Sequence, residues 1–430
     1  MRTTIVNAAV IVGDGKTILS EASLRLDNEI IQEVVPLKYL TYDSADLVLD
    51  ARGGYVLPGI NNHHAHGVTL GPLFPYCSFD LSWQRVKANL DTHLSQGTTT
   101  ILNLDGMSTP WEVEEANKHH PVRVQTATLH TPLNKECAVL SDGRAFHDKH
   151  RALHAEDMVR LGALAIGEIG SPGTTNATTA MAIRLGKPIS TPQAGAVVKL
   201  FHRDAHPSLQ MIEETLSRWN LTDMIKADEA EGLYTECFKK PVEKCNEAII
   251  EGIAYSKKLH VPIVVHNSPD TQESVLEAAK GLGPMLIAGH SNFMFTADEA
   301  VKHAKRIKGY GSYVDILTGD SLGAKQLQQT PEVGLALLRA GLVDLISTDF
   351  CGGYHDPILE CLQFAVTEGA VGLAEGVAKC THNVAAAIPG LAHNRGLIAE
   401  GMIGDFCITE KEALSRVKHV FIGGHLVWSN

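Results

Sequence analysis

No apolar run in this sequence reaches the roughly 18 residues that a membrane-crossing helix needs, so no membrane is expected among its partners. Long basic runs are missing too. Lys and Arg number 37 against 49 Asp and Glu, a net charge of −12, which argues against nucleic acid or an anionic lipid surface. The eight cysteines include no CxxC pair and show no regular spacing. That pattern predicts reduced thiols and a cytoplasmic location, not a disulfide framework. Met1 to Ile18 carries one Arg and short apolar stretches broken by Asn7 and Gly13-Asp14-Gly15, which is the pattern of neither a signal nor a transit peptide. Internal repeats and low-complexity tracts are absent.

What is present is globular composition: 44 % hydrophobic, 20 % charged and a mean hydropathy near zero. A chain of 430 residues is too long for one ordinary core and too short for three, which predicts one large domain and a smaller one. Histidine stands out. Its count of 21 is about twice what average usage gives, and His is the commonest metal ligand.

The texture of the chain divides it. Thr3–Val12, Ser23–Leu26, Glu29–Val35 and Asp46–Leu49 read as short strands, with turns at Gly13-Asp14-Gly15 and Asp27-Asn28. Asp405–Thr409 and His419–Val427, around Gly423-Gly424, have the same character. Neither end holds a core of its own, so residues 1–57 and 396–430 are expected to meet in a small composite β-sandwich. Between them, apolar runs alternate with amphipathic segments. The runs are Tyr55–Gly59 leading into His64, Thr98–Leu104, Val122–Leu129, Leu164–Gly170, Val261–His266, Pro284–His290, Gly309–Leu317 and Leu342–Asp349.

Several of the intervening segments announce helices. Pro241–Leu259 repeats Cys245, Ala248, Ile249, Gly252 and Ile253 at helical spacing. Asp270 with Glu273 and Thr296 with Glu299 read as capping boxes, and Asp356-Pro357 opens a helix that Gly369 closes. Eight apolar strands alternating with helices predict an α/β fold, a (β/α)8 TIM barrel over residues 58–395. One link is abnormally long. The insertion at about 171–240 is rich in Thr, Pro, Gly and Ala at first, then reads as a strand at Ala194–His202 and a helix around Pro207–Trp219. Such a connection usually serves an active site.

Active sites of such barrels lie at the C-terminal ends of the strands. The first run leads into His64-Ala65-His66; the fourth holds Glu168; the fifth ends in His266, the sixth in His290 and the eighth in Asp349. Residues two apart on an extended strand point to one side, so His64 and His66 suit one ion, although a polar loop would carry them as well. Singly, His266 and His290 read as hydrogen-bonded structural residues and Asp349 as an N-cap. Five strand ends of eight carrying N or O donors point instead to divalent first-row metal.

Leu57-Pro58-Gly59-Ile60-Asn61-Asn62-His63-His64-Ala65-His66-Gly67 resembles the first-strand motif of the amidohydrolase superfamily. His266, His290 and Asp349 match its later ligands in order. Thr381-His382-Asn383-Val384-Ala385 and the segment from Arg395 to Asp405 are similar to its closing signature. The resemblance spans nearly the whole chain apart from the insertion. It implies an enzyme in which a metal-bridging hydroxide attacks a carbonyl-like carbon and cleaves a C–N bond other than a peptide bond. The implied cofactor is two divalent ions, zinc first, iron or manganese otherwise, and the implied assembly a homodimer or homotetramer.

Gly167-Glu168-Ile169-Gly170 looks like the corresponding segment of enamidase-type members, where Glu bridges the two ions; Lys199, the rival bridge, would need a ninth strand. On this reading His64, His66 and Asp349 hold one ion and His266 and His290 the other. Asp349 also acts as general base and then acid. The family usually has Asp where this chain has Asn62, which bears on the tuning of the metal. The substrate implied is a small cyclic amide, imide or enamide, with Asn267, Asn292 and Cys351 as pocket residues. Lys199, His202 and Arg203 are the one basic group near it. Two alternatives stand beside this. A mononuclear deaminase of a purine, pyrimidine or triazine would place a Glu three residues after His266, where this chain has Pro269. A scaffold relative would have lost the metals. Gly289-His290-Ser291-Asn292-Phe293 departs from a serine-hydrolase elbow at its fifth position.

Overall fold

Alternation builds the small domain. In Ile18–Asp27, Ala22, Leu24 and Leu26 sit two apart and are buried, while their neighbours Glu21 and Asp27 face water. The computed structural model describes residues 2–36, 47–73, 77–170, 177–204, 206–318, 331–351 and 355–430. Asp46, residues 171–176 of the insertion and the side chain of Arg203 lie outside that description. Arg2–Ile11, Ile18–Asp27 and Ile30–Pro36 pair antiparallel in sequence, and Leu47–Asp50 lies parallel to the first of them. Phe406–Glu410, Ala413–Ile422 and His425–Ser429 continue the same sheet from the other chain end. Ile5, Leu24 and Ile31 from one end share a core with Phe406, Ile408 and Phe421 from the other. The rings of Phe406 and Phe421 stack at 4.5 Å.

The first apolar run splits where the sequence joins it. Tyr55–Pro58 belongs to the small sheet, between Arg2–Ile11 and Phe406–Glu410, and barrel strand 1 is Ile60–Ala65. Gly59 makes the crossing: its N–H donates to Asp405 O at 2.9 Å. A Cβ there would lie 2.2 Å from Thr99 Oγ1.

Barrel strands 2 to 8 are Thr98–Asn103, Arg123–Thr128, Ala165–Ile169, Ile263–His266, Leu286–Gly289, Tyr313–Leu317 and Leu345–Ser347. They form one parallel sheet in sequence order. The two edges meet through an Ala65–Phe350 bridge, the His66 N–H to Phe350 O at 2.6 Å and the Asp349 N–H to His64 O at 3.0 Å. The barrel is thus closed on the segments that carry its histidines. Leu102, Ala127, Ala165, Val264, Ile287 and Leu345 fill the interior together with Val384, Ile388 and Leu391 near the helix His382–Ala387. The seventh and eighth strands start later than their apolar runs: the end of helix Ala297–Gly309 and the turn after it occupy 309–311, and 342–344 lie outside the strand.

The insertion differs from its sequence reading at Ala194–His202, which is helical, within Thr191–Arg203. Ser190 and Gln193 form a capping box with a proline in the first turn, and Ala194, Val197 and Phe201 bury one stripe. With Ala177–Leu185, Leu209–Arg218 and Ala230–Tyr234 it encloses a separate core of Met181, Ile212, Leu216, Leu221 and Leu233. Lys199 lies on the exposed face of this helix, so it is no bridging ligand, and among the described residues the barrel sheet has no ninth strand.

Two helix starts also move. Helix Gln272–Leu282 is entered through Thr271 without a side-chain cap; Asp270 faces His202 Nε2 at 3.2 Å instead. Helix Ile358–Thr367 begins after Pro357, one residue later than expected. The Thr296–Glu299 box forms as read, with Thr296 N–H donating to Glu299 Oε2 at 2.9 Å.

Between strands 2 and 4 the loops are tied by a buried carboxylate. Glu112, in helix Pro110–His119, accepts from Thr109 N–H at 2.7 Å and Lys149 Nζ at 2.6 Å, and His150 Nε2 lies at 3.2 Å. Burial works to raise its pKa, but His150, Lys149 and Thr109 outweigh it and hold the group at about 2, against 4.5 when free. A depressed carboxylate stabilises the fold above its unfolded pKa and loses that contribution as pH falls through its folded one. Between pH 5 and 2, the wild type should therefore lose about 3 kcal/mol more unfolding free energy than Glu112→Gln. Denaturant melts across that range check this; parallel curves would remove the linkage.

Candidate metal centre

Parallel barrel strands end on one face, so residues at the ends of different strands can meet at one point. His64 closes strand 1 with Ala65, and His66 follows it. Glu168 lies in strand 4, His266 ends strand 5, His290 follows strand 6 and Asp349 follows strand 8 by two residues. The structure brings all six together. Glu168 is central: Oε1 lies 2.6 Å from His290 Nε2, 3.1 Å from His266 Nδ1 and 3.7 Å from His64 Nε2, while Oε2 lies 4.0 Å from His66 Nε2. Asp349 Oδ1 stands 3.4 Å from His64 Nε2 and 3.3 Å from His66 Nε2. Two trios have ligand atoms close enough to share an ion, His64 with His66 and Asp349, and His64 with Glu168 and His290.

The cluster is buried except at one corner. His64, His66, His266, His290 and Glu168 are buried, whereas the Asp349 side chain keeps 26 % of its exposure. Both nitrogens of His64, Nδ1 of His290 and Nε2 of His266 are buried without a hydrogen-bond partner. Buried polar atoms seldom remain unpaired. Four imidazoles converging on two carboxylates is a donor set suited to divalent first-row metal, and the residues present fit that cofactor.

The charges are strongly interdependent. Burial favours neutral Glu168, but His290, His64 and His266 pull its pKa well below the ordinary carboxylate value. Asp349 is likewise penalised by burial, yet His290, His66 and His64 hold it at about 2. Burial drives His64 and His266 down, towards the neutral form that binds metal. His66 is also desolvated, but Asp105 and Asp349 lift it to about 10; Glu168 and Asp349 lift His290 to about 9.

Behind the cluster lies a layer that the sequence reading missed. Asp105 Oδ1 is 3.3 Å from His66 Nδ1 while Oδ2 accepts the Gly67 N–H at 2.8 Å. The ring is thereby oriented with Nε2 inward, the carboxylate–histidine arrangement that raises ligand basicity. Its signal was available, since Asp105 directly follows the Thr98–Leu104 run. His63 and Asp315, both fully buried, face each other at 3.2 Å. Asn62 replaces the expected charge with two hydrogen bonds: its Nδ2 donates to Thr348 Oγ1 at 2.7 Å and its Oδ1 accepts the Thr348 N–H at 3.2 Å. Strands 1 and 8 are thus joined beside His64 and Asp349.

The three expected pocket residues fare differently. Asn267 donates to Ser291 Oγ at 3.0 Å and receives His303 Nε2 at 2.9 Å. Asn292 binds both the N–H and the O of Leu317 at 3.0 Å. Both amides are occupied by the protein's own atoms and brace the ends of strands 5 and 6. Cys351 is exposed, two residues beyond Asp349. Phe293 stands closer to the chemistry, its ring edge-on to His266 at 5.2 Å and to His290 at 5.9 Å. Sequence reasoning had used Phe293 only to dismiss the serine elbow.

No family model and no curated protein matches the sequence. Solved structures do. The chain aligns over its whole length with all of an amidohydrolase at TM-score 0.61 and 15 % identity. It aligns equally completely with a prolidase complexed with N-methylphosphonate-L-proline, at 0.59 and 16 %. A third is dihydropyrimidinase from Brevibacillus agri, at 0.55 and 15 %, with 95 % of that chain covered. The likeness shows the fold, a TIM barrel carrying a small β domain built from both chain ends. These neighbours are hydrolases of amide and other C–N bonds. Among the described residues, no helix is long and apolar enough to cross a membrane.

Proposed function

We propose that this protein is a metal-dependent hydrolase that cleaves a C–N bond of a small cyclic amide, imide or enamide. The observation that carries the reading is the Glu168 carboxylate set among four imidazoles, with Asp349 as the one solvent-facing member. His64, His66 and Asp349 would hold one divalent ion, His266 and His290 a second, and Glu168 would touch both; zinc is the first choice, iron or manganese the others. Such ions, when bound, supply an activated water and polarise the scissile carbonyl.

The chain's own groups do the rest. Asp349 is ionised at neutral pH and partly open to solvent, so it takes the proton of the attacking water and passes it to the leaving nitrogen. Asp105 keeps His66 in one orientation. Phe293 covers the His266 and His290 rings and keeps water from that side. Dihydropyrimidinase among the neighbours supports a cyclic substrate. The shuttle position of a deaminase holds Pro269, and the two carboxylates that follow it point elsewhere: Asp270 faces His202 at 3.2 Å, and Glu273 is 75 % exposed and faces Arg306 at 3.6 Å, which favours hydrolysis over deamination.

Elemental analysis of protein purified without chelator tests the centre. The expected result is about two ions per chain, with turnover of lactams, imides or enamides in a screen. One ion with turnover of ring amines would replace this reading with the deaminase. None, even after metal is restored, would leave a scaffold.

A further inference from the structure

Strands 5, 6 and 8 each end in a member of the Glu168 cluster, but strand 7 between them contributes none. It carries a carboxylate all the same. Asp315 is fully buried in Tyr313–Leu317, and its contacts reach three other strands. Oδ2 accepts the backbone N–H of His290 at 3.3 Å and the hydroxyl of Ser347 at 3.0 Å. Oδ1 lies 3.2 Å from His63 Nε2, and the backbone O accepts the Ser291 N–H at 2.8 Å. His63 precedes His64 directly, and Ser347 stands two residues before Asp349. One side chain therefore touches the segments that present His64, His290 and Asp349.

The backbone at His290 needs such a hold. Its φ of 47° is in the left-handed region, as is the 49° of Asp349, and a side chain other than glycine persists there only where its surroundings over-determine it. Asp349 has its N–H bound to His64 O. For His290 the corresponding N–H is taken by Asp315. A carboxylate accepts and never donates, so Oδ2 takes the His290 N–H and the Ser347 hydroxyl together while Oδ1 lies at ion-contact distance from His63, an arrangement a neutral amide of the same shape holds less strongly.

We propose that Asp315 is a positioning residue for the metal centre: it fixes His290 and thereby secures the ion that His290 holds. This rests on the two-ion reading given above. The test uses full-length, chelator-stripped wild type and Asp315→Asn, titrated with Co(II) against a competing chelator while the visible d–d absorption is followed. One of the two equivalents should bind about 10- to 100-fold more weakly in the variant, with the other unchanged. Once loaded, the variant should lose kcat and keep KM. Two unchanged equivalents overturn the proposal, as does equal weakening of both with a fall in the melting temperature of the metal-free protein, which marks a merely structural residue.

Should Asp315→Asn not fold, Ser347→Ala removes one donor to the same oxygen. It should weaken the same equivalent about threefold, and no effect there counts against Asp315. A wild type that takes a single Co(II) sinks the two-ion reading only. The Asp315 inference then stands if that ion is weakened in the variant and falls if it is not. A wild type that takes none overturns both.

Discussion

Asp349→Asn should lower kcat by about 10²- to 10⁴-fold, the usual range for removing a general acid–base group, with KM within a small factor of wild type. The amide matches the carboxylate in shape and keeps an oxygen towards His64 and His66, which lie 3.4 and 3.3 Å from Oδ1. What it loses is the capacity to accept a proton. Because Asp349 is held at about 2 by His290, His66 and His64, the wild-type group is available as a base throughout the neutral range. The chain should fold unchanged, since the barrel-closing bonds at this position run through the Asp349 N–H and Phe350 O and do not involve the side chain. Steady-state kinetics beside circular dichroism decide it, and a folded variant turning over near the wild-type rate would remove Asp349 from the mechanism.

Glu168→Gln should have the second large effect, and it should appear first in metal content. Glu168 is the one carboxylate within 4.0 Å of all four imidazoles. A neutral amide there leaves His290 and His266 facing a group that cannot balance cationic charge in a buried site. Elemental analysis is expected to fall from about two ions per chain to one or fewer, with activity down by more than about 10³-fold. Two ions retained at full activity would show that the bridging role belongs elsewhere. Lys199 cannot take it over, being exposed on the inserted helix Thr191–Arg203.

At three places where sequence and structure part, the deciding partner lies outside the segment that was read. Ala194–His202 is apolar enough for a strand, but its start signal, Ser190 with Gln193, lies outside the window that suggested one. Tyr55–Gly59 and Ile60–Ala65 are one apolar run in the sequence and two sheets in the fold, because pairing with Phe406–Glu410, some 350 residues away, claims the first half. Asp270 and Glu273 had the spacing of a capping box. The Thr271 hydroxyl instead donates to His266 O at 2.7 Å, tying the loop to the strand and leaving the helix without a side-chain cap. Only at Tyr55–Gly59 did a partner distant in the chain decide; in the other two a near neighbour outside the window read outweighed the local preference.

The sequence by itself determined the eight-strand alternation, the meeting of the two chain ends and the donor types at the strand ends. Those follow from apolar runs and their terminal residues, which are local properties of the chain. Only the tertiary structure decided what stands behind the donors. Asp105 orients His66 from the loop after strand 2, Asp315 gathers strands 1, 6 and 8, and His303 pairs with the Asn267 side chain. These roles depend on hydrogen bonds and ion contacts between residues tens to hundreds of positions apart. A buried polar atom takes whichever partner the closed barrel brings within about 3 Å, and no local pattern records which one that will be.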